Sequence, residues 1–266
     1  MSEPSDDPAP CIGILDSGVG GLTVLREIRE VLPKVPIRYV GDSAWCPYGT
    51  KSAGAIQERV LKISDHLIEQ GATALVIACN SATIHAVETL RNTFPIPIIG
   101  MEPGVKPAAK LTKTGIVGIL ATEASIAGEK FHRLVNDHAS GITVITKPCP
   151  RFVELVEAGI LSGDEVREAV HEITDPLIES RADVLVLGCT HYPFLRAAID
   201  EAIPPHVQVV DTGPAVARRV KEVLAGQVFQ SEPDIFIEST GDPSFLTASL
   251  PTLLPQFHCK ISRFEH

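Results

Sequence analysis

Short, uniformly apolar runs separated by polar turns and amphipathic segments make up most of the chain. Runs that are apolar at every position are typical of parallel strands covered by helices on both faces. The runs predicted as strands are Cys11–Leu15, Ile37–Val40, Ala74–Ala78, Ile96–Ile99, Ile116–Leu120, Ile142–Ile145, Val184–Leu187 and Val207–Val210. Between them, apolar residues recur at helical spacing, as in Leu22, Leu25, Ile28 and Leu32 or in Ile56, Val60, Ile63 and Leu67. The pattern predicts an α/β fold with mainly parallel sheets flanked by helices.

The two halves of the chain also resemble each other. Three segments of the first half, residues 13–17, 46–47 and 74–81, match residues 118–122, 149–150 and 184–191 in the same order and at nearly the same spacing. One such match between short apolar runs arises easily by chance, whereas three ordered matches indicate a repeat. The sequence therefore predicts two similar α/β domains that face each other, with a cleft between them.

Composition and charge exclude two classes of partner. Lys and Arg number 23 against 33 Asp and Glu, which gives a formal net charge of −10. A protein that binds a nucleic-acid backbone needs a basic surface, so nucleic acid is not an expected partner. No apolar run approaches the ~20 residues that span a bilayer, and the acidic, proline-rich start lacks the features of a signal peptide. We therefore expect no membrane association, a cytoplasmic protein and a disordered tail over residues 1–10.

Two of the six cysteines stand at chemically informative positions. The six are too dispersed for a disulfide scaffold, and no CxxC pair indicates a zinc knuckle. Cys79 and Cys189, however, each follow a buried run and precede a predicted helix, at the strand ends where α/β proteins bind ligands. A helix N-terminus is expected to lower the pKa of such a thiol. The alternative is that both are small core residues, but their polar neighbours Asn80-Ser81 and Thr190-His191 favour a functional role.

Two opposed thiols suit one type of reaction in particular. A thiolate on one side of a carbon removes a proton, a thiol on the other side returns one, and the two exchange roles in the reverse direction. A redox disulfide is the competing interpretation. It requires sulfurs in contact and usually close along the chain, which the spacing of Cys79 and Cys189 does not favour.

The polar residues near the thiols allow several interpretations. The glycine-rich segment Asp16–Gly21 fits neither common phosphate-binding motif, although its amides could receive a carboxylate. Asp16 is either a helix N-cap, a recogniser of an ammonium group or a carboxylate that activates a base. His191 lies two residues after Cys189, where it could stabilise the thiolate or help to protonate it. Pro47-Tyr48-Gly49 is an ordinary turn or part of the site, and Trp45 lines the cleft or packs in the core. The other histidines lack metal-ligand spacing, so no metal site is predicted.

Taken together, these motifs resemble those of the glutamate racemases, cofactor-independent enzymes of the aspartate/glutamate racemase superfamily. The similar segments run in the family's order over most of the chain: Asp16–Leu22 (DSGVGGL), Cys46–Gly49 (CPYG), Ala78–Ala82 (ACNSA), Glu102–Gly104 (EPG), Gly188–Pro193 (GCTHYP) and Asp211-Thr212. The strings around Asp16 and Cys189 are the most specific of these.

The resemblance implies a domain division and a set of site residues. One domain would comprise residues 11–101 plus 214–266 and the other residues 102–213, with the substrate between them. Cys79 would act on the D-enantiomer and Cys189 on the L-enantiomer, assisted by Asp16, His191 and Glu157. The implied substrate contacts are Asp16, Ser17, Pro47, Tyr48, Gly49, Cys79, Asn80, Ser81, Thr122, Ser125, Cys189, Thr190 and His191.

The implied activity is the interconversion of L- and D-glutamate, which supplies D-glutamate for peptidoglycan, by a homodimer without a cofactor or a metal. Ser81 stands where the family usually has threonine, and Ala124-Ser125 replaces the usual Gly-Thr. An aspartate racemase or a racemase of broad specificity is therefore an alternative. A two-domain protein that binds an acidic amino acid without turning it over is another.

Overall fold

The computed structural model describes residues 8–229 and 232–265. Residues 1–7, which make up most of the predicted disordered tail, lie outside the described residues. The strands are β1 (Cys11–Asp16), β2 (Ile37–Gly41), β3 (Ala72–Ile77), β4 (Ile98–Gly100), β5 (Ile116–Ala121), β6 (Thr143–Pro148), β7 (Val184–Gly188), β8 (Gln208–Val210), β9 (Ile235–Ser239) and β10 (Lys260–Arg263). The helices are α1 (Leu22–Val31), α2 (Ala53–Glu69), α3 (Asn80–Thr93), α4 (Val105–Leu111), α5 (Glu123–Ala127), α6 (Glu129–His138), α7 (Pro150–Glu157), α8 (Asp164–Glu179), α9 (Arg196–Ala202), α10 (Gly213–Val223) and α11 (Pro243–Leu253).

The described strands form two parallel sheets. The larger sheet has the order β10-β9-β2-β1-β3-β4 and the smaller one the order β6-β5-β7-β8. All recorded strand pairs are parallel. The central strands β1, β3, β5 and β7 are almost entirely buried, as expected for strands that helices cover on both faces. The predicted α/β fold with mainly parallel sheets is confirmed.

The repeat seen in the sequence corresponds to a repeat in topology. The order β2-β1-β3-β4 in the larger sheet matches β6-β5-β7-β8 in the smaller one. Gly13 in β1 and Gly118 in β5 illustrate the match, since a Cβ at either position would lie 2.7 Å from a leucine methyl of the neighbouring strand. Each of the two glycines thus allows close packing at the same place in its sheet.

The C-terminal part of the chain returns to the larger sheet. Strands β9 and β10 extend that sheet beyond β2, and α10 packs against α1. The apolar pattern did not predict these two strands, because β9 alternates between buried and half-buried residues and β10 is mostly exposed. Their position in the larger sheet agrees with the expectation that the C-terminal segment belongs to the first domain. The residue boundaries of the two domains stay a prediction. None of the described helices is long and apolar enough to cross a membrane.

Candidate active site

The two predicted catalytic thiols lie at the carboxyl ends of corresponding strands in different sheets. Cys79 follows β3 and caps α3, where its Sγ accepts a hydrogen bond of 3.4 Å from the amide of Ala82. Cys189 directly follows β7. Only 6% of Cys79 and 8% of Cys189 is exposed to solvent. Strand-end placement is what the short apolar runs before each cysteine predicted.

One small cavity touches both thiols. It has about 20 Å³ of free space, which is room for about one water molecule. Its walls include most of the residues that the resemblance implied as substrate contacts: Ser17, Pro47, Tyr48, Gly49, Cys79, Asn80, Ser81, Thr122, Cys189, Thr190 and His191. Asp16, Ser125 and Glu157 are outside this lining and contact residues within it. The structure therefore brings the predicted site residues together around one small cavity.

The expected lowering of the Cys79 pKa is wrong. Burial and, to a smaller extent, the nearby carboxylate of Asp16 raise the pKa of this thiol to about 12. The amide of Ala82 at the start of α3 acts in the predicted direction, but desolvation outweighs it. In this structure Cys79 is therefore a protonated thiol at neutral pH.

Asp16 is a buried carboxylate rather than a helix N-cap, because α1 begins at Leu22 and is capped by Gly21. Its Oδ1 accepts a hydrogen bond of 2.9 Å from the amide of Gly18, and its Oδ2 accepts one of 3.1 Å from the hydroxyl of Thr190. Burial raises the pKa of Asp16, and the positive charge of His191 opposes that rise. Asp16 thus connects the glycine-rich turn after β1 with the segment that follows β7.

His191 stands between a thiol and a carboxylate. Its Nδ1 lies 3.6 Å from Cys189 Sγ, and its Nε2 lies 2.6 Å from Glu157 Oε1. Burial lowers the pKa of His191, but hydrogen bonds with Cys189, Cys46 and Glu157 raise it well above its usual value. Burial raises the pKa of Glu157, and its hydrogen bond with His191 more than reverses that effect. The pair is therefore an imidazolium and a carboxylate, placed to deliver a proton towards Cys189.

Hydroxyl groups from both sheets meet on another wall of the cavity. Ser81 Oγ, at the start of α3, lies 3.0 Å from Thr122 Oγ1 and 3.3 Å from Ser125 Oγ. The Thr122 side chain also caps α5 by accepting from the amide of Ser125. Beside them, both polar atoms of the Asn80 side chain are buried without a hydrogen-bond partner among the described residues. A buried amide without partners is costly, so Asn80 is suited to bind a polar group that enters the cavity.

Pro47, Tyr48 and Gly49 belong to the cavity wall as well as to a turn. The Tyr48 hydroxyl donates a 2.6 Å hydrogen bond to Asp42 Oδ2. Arg59 donates to both oxygens of Asp42, at 2.8 and 2.7 Å, and Thr240 donates to Oδ1 at 2.7 Å. This anchor is not among the predicted site residues, although Asp42 directly follows β2, a position typical of functional side chains.

At two positions of the turn after β1, neighbouring side chains lie so close that only glycine fits. A Cβ at Gly18 would lie 2.0 Å from Glu157 Oε1, and one at Gly20 would lie 2.4 Å from His191 Nδ1. The glycine-rich segment gives room for the His191–Glu157 pair, and the amide of Val19 donates a 2.9 Å hydrogen bond to Glu157 Oε1.

Two residues beside the turn depart from expectation. Trp45 neither lines the cavity nor packs in the core; it is 40% exposed and lies against the guanidinium of Arg59. Cys46, which is not one of the two predicted catalytic cysteines, contacts the charged pair. Ligand atoms of Cys46, Glu157 and His191 all lie within 4.8 Å of one another.

Comparison with known proteins places this site in a family. The sequence model of Asp/Glu/hydantoin racemases matches residues 12–220. A glutamate racemase of Ectopseudomonas mendocina is 47% identical over 247 residues, which cover 91% of this chain and 94% of that protein. The chain belongs to the glutamate racemases of the Asp/Glu/hydantoin racemase family. Another relative, the glutamate racemase of Pseudomonas aeruginosa, is 46% identical over 90% of this chain and 89% of its own length.

Solved structures of glutamate racemases share the fold. The Escherichia coli glutamate racemase, solved with L-glutamate and the activator UDP-MurNAc-ala, matches with a TM-score of 0.88 and 32% identity over 97% of this chain and 98% of that one. The Francisella tularensis glutamate racemase, solved with D-glutamate, matches with a TM-score of 0.83 and 28% identity, again over 97% and 98% of the two chains.

Proposed function

We propose that the protein interconverts L- and D-glutamate by moving the Cα proton between two thiols. One observation carries this proposal: Cys79 and Cys189, from corresponding strand ends of different sheets, line the same small cavity. The identity of the substrate, glutamate, is inferred from the membership of this chain in the glutamate racemases. Because each thiol can act from its own side of a bound amino acid, the two can exchange the configuration at Cα.

The proton transfers balance in both directions. With L-glutamate, the Cys189 thiolate takes the Cα proton and becomes a thiol, while the Cys79 thiol gives its proton to the opposite face and becomes a thiolate. With D-glutamate, Cys79 is the base and Cys189 the acid. His191 and Glu157 assist Cys189, because an imidazolium 3.6 Å from its Sγ stabilises the thiolate or restores the thiol.

The cavity supplies donors for the carboxylate of the substrate as it gains enediolate character. We assign this role to Asn80, with its partnerless amide, and to the hydroxyls of Ser17, Ser81, Thr122 and Thr190. A preorganised donor aimed at developing charge contributes about 3 to 4 kcal/mol. Asp16 positions Thr190 by accepting a hydrogen bond from its hydroxyl. Ser125 positions Ser81 and Thr122 through hydrogen bonds to their hydroxyls. No cofactor enters the proposed reaction.

The biological setting is part of the proposal. D-glutamate made by this reaction would serve peptidoglycan synthesis in the cytoplasm. We further propose a homodimer, and a division into one domain of residues 11–101 plus 214–266 and another of residues 102–213.

The test is circular dichroism of purified protein with L-glutamate or D-glutamate and no added pyridoxal phosphate. We expect racemisation of both enantiomers, with a loss of about 10²- to 10⁴-fold in Cys79→Ala and in Cys189→Ala. Cys259→Ala, which changes a thiol far from the cavity, should keep its activity. Undiminished racemisation in either cavity variant would overturn the mechanism. Binding of glutamate without turnover in the unaltered protein would show a binding protein instead.

A further inference from the structure

Ligand atoms of three different types lie together at the His191 ring. They are the Cys46 Sγ, a Glu157 carboxylate oxygen and a nitrogen of His191, all within 4.8 Å of one another. Because Nδ1 of His191 faces Cys189 and Nε2 faces Glu157, Nε2 is the nitrogen that belongs to this group. The proposed racemisation uses His191 and Glu157 but gives Cys46 no role.

The chemistry of the group is that of a zinc ligand set. Thiolate, imidazole and carboxylate bind Zn²⁺ at about 2.3, 2.0 and 2.1 Å, with the ion in a roughly tetrahedral shell. Ligand atoms around such an ion are about 3.3 to 3.8 Å apart. The 2.6 Å between His191 Nε2 and Glu157 Oε1 must therefore widen by about 1 Å, which two side-chain rotations can supply.

The surroundings offer an entry path and a position for a fourth ligand. A second cavity, with about 420 Å³ of free space, is lined by Cys46 and Glu157 together with Pro47, Gly49 and Tyr192. A water molecule there can complete the shell. The amide of Val19 holds Glu157 Oε1 from the other side, an outer contact of the kind that orients metal ligands.

We propose that Cys46, His191 and Glu157 bind one thiophilic divalent cation of the zinc class and that the bound ion stops turnover. Binding converts the Cys46 thiol to a thiolate, and the proton of that thiol and the Nε2 proton of His191 pass to solvent. The metal then holds the nitrogen that paired with Glu157, so the His191–Glu157 pair that assists Cys189 is broken. The inhibitory part rests on the proposed racemisation, whereas the binding part does not.

Binding is tested with the full chain, Zn²⁺ for calorimetry and Co²⁺ for absorption spectroscopy. We expect one equivalent of Zn²⁺ and a thiolate-to-Co²⁺ charge-transfer band. Cys46→Ser keeps the size of the side chain but loses the soft ligand, so it should weaken binding by about tenfold or more and remove the band. Cys259→Ser is the matched control, a half-buried cysteine outside the group, and should bind as the unaltered protein does.

The outcomes separate the site from the reaction. Equal metal binding by the unaltered protein and Cys46→Ser, or no binding of one equivalent, would overturn the site. Inhibition by Zn²⁺ that follows the binding curve and is weakened about tenfold in Cys46→Ser would support the whole proposal. Full racemisation with the ion bound would overturn the inhibitory part. If metal-free protein does not racemise glutamate, the proposed function fails, and the Co²⁺ spectrum still decides the site.

Discussion

At the scale of single residues, the protonation of the site side chains depends on contacts with buried residues that are distant along the chain. His191 is paired with Glu157, which lies 34 positions away along the chain, and Asp16 is paired with Thr190, which lies 174 positions away. His191 and Glu157 shift each other's pKa, and the Thr190 hydroxyl opposes the rise in the pKa of Asp16. The chemistry assigned to the thiols therefore depends in part on Glu157 and Asp16, which do not line the cavity.

Glu157→Gln is expected to lower activity most at high pH. The carboxylate raises the pKa of His191, so its removal lets the imidazolium lose its proton at a lower pH. Glutamine still accepts from the amide of Val19, which preserves the local structure. We expect the high-pH limb of kcat to move to lower pH, with kcat at pH 8 reduced by about tenfold or more.

The control for this variant is Glu154→Gln, which changes an exposed glutamate one turn earlier on α7. Its pH profile should coincide with that of the unaltered protein. If the pH profile of kcat in Glu157→Gln is lower at every pH but keeps its shape, the positive charge assigned to His191 is wrong.

Gly20→Ala tests the close contact between the glycine-rich turn and His191. The added Cβ would lie 2.4 Å from His191 Nδ1 and 2.5 Å from Thr190 Oγ1, and both side chains are buried. Overpacking of this kind costs about 1 to 3 kcal/mol in the free energy of unfolding. Urea denaturation should show that loss together with a fall in kcat.

Gly54→Ala supplies the comparison, because a Cβ at that position in the first turn of α2 meets nothing within 4 Å. It should be neutral or more stable by up to about 1 kcal/mol. Equal stability of the two variants would show that the turn after β1 can move away from His191.

At the scale of secondary-structure elements, buried carboxylates fix the connections next to strands. Asp183, just before β7, accepts from the Thr112 hydroxyl at 2.5 Å and from the amides of Lys113 and Thr114 at 2.7 and 3.0 Å. These bonds hold the segment between α4 and β5 against the start of β7. Burial raises the pKa of Asp183, but the hydrogen bonds outweigh it and lower the pKa to about 2.

Asp183→Asn is expected to lower the free energy of unfolding by about 1.5 to 3 kcal/mol at pH 7, because the hydrogen bonds to a charged acceptor are weakened. The folded pKa lies below the unfolded value of about 3.9. The stabilisation is therefore present above that value and is lost as the pH falls towards 2. Urea denaturation at several pH values should show the difference between the two proteins shrinking over this range.

Asp200→Asn, on the exposed face of α9 and paired with Arg196, should change stability by less than about 1 kcal/mol. If the two substitutions have the same small effect, Asp183 does not hold the connection.

How far the sequence predicts these features depends on how local the determining interactions are. The strands β1, β3, β5 and β7 can be recognised in the sequence, because strands covered on both faces must be apolar at nearly every position. The edge strand β10 has only one neighbour and is mostly exposed, so its sequence carries no such signal. The contacts of Glu157 with Val19 and His191 join distant segments, and no local pattern reveals them. Glu157 could be predicted only from the family resemblance, and Cys46, although part of the CPYG segment, was given no role of its own.

At the scale of the whole molecule, the small size of the cavity implies that it must widen for a substrate to enter. Its free space of about 20 Å³ is far smaller than a glutamate molecule. Hydrogen bonds between the two halves beside the cavity include those of Ser81 with Thr122 and of Asp16 with Thr190, and one buried apolar cluster contains residues of both halves. Widening of the cavity must therefore change polar and apolar contacts together.

Alkylation of thiols measures this opening directly. Cys79 and Cys189 are at least 90% buried, and the pKa of Cys79 is about 12, so both should react with iodoacetamide only from the open form. Glutamate that closes the cleft should slow their labelling by the factor 1 + [L]/Kd, about 100-fold at a concentration of 100 Kd. Peptide mass spectrometry reports each cysteine separately, and Cys259, half-buried at the end of the larger sheet, is the internal control whose rate should not change.

Labelling of Cys79 and Cys189 at one common rate, with equal protection, would indicate that a single movement of the two sheets exposes both. Fast labelling that glutamate does not slow would mean that the cavity is open in solution and that closure does not accompany binding.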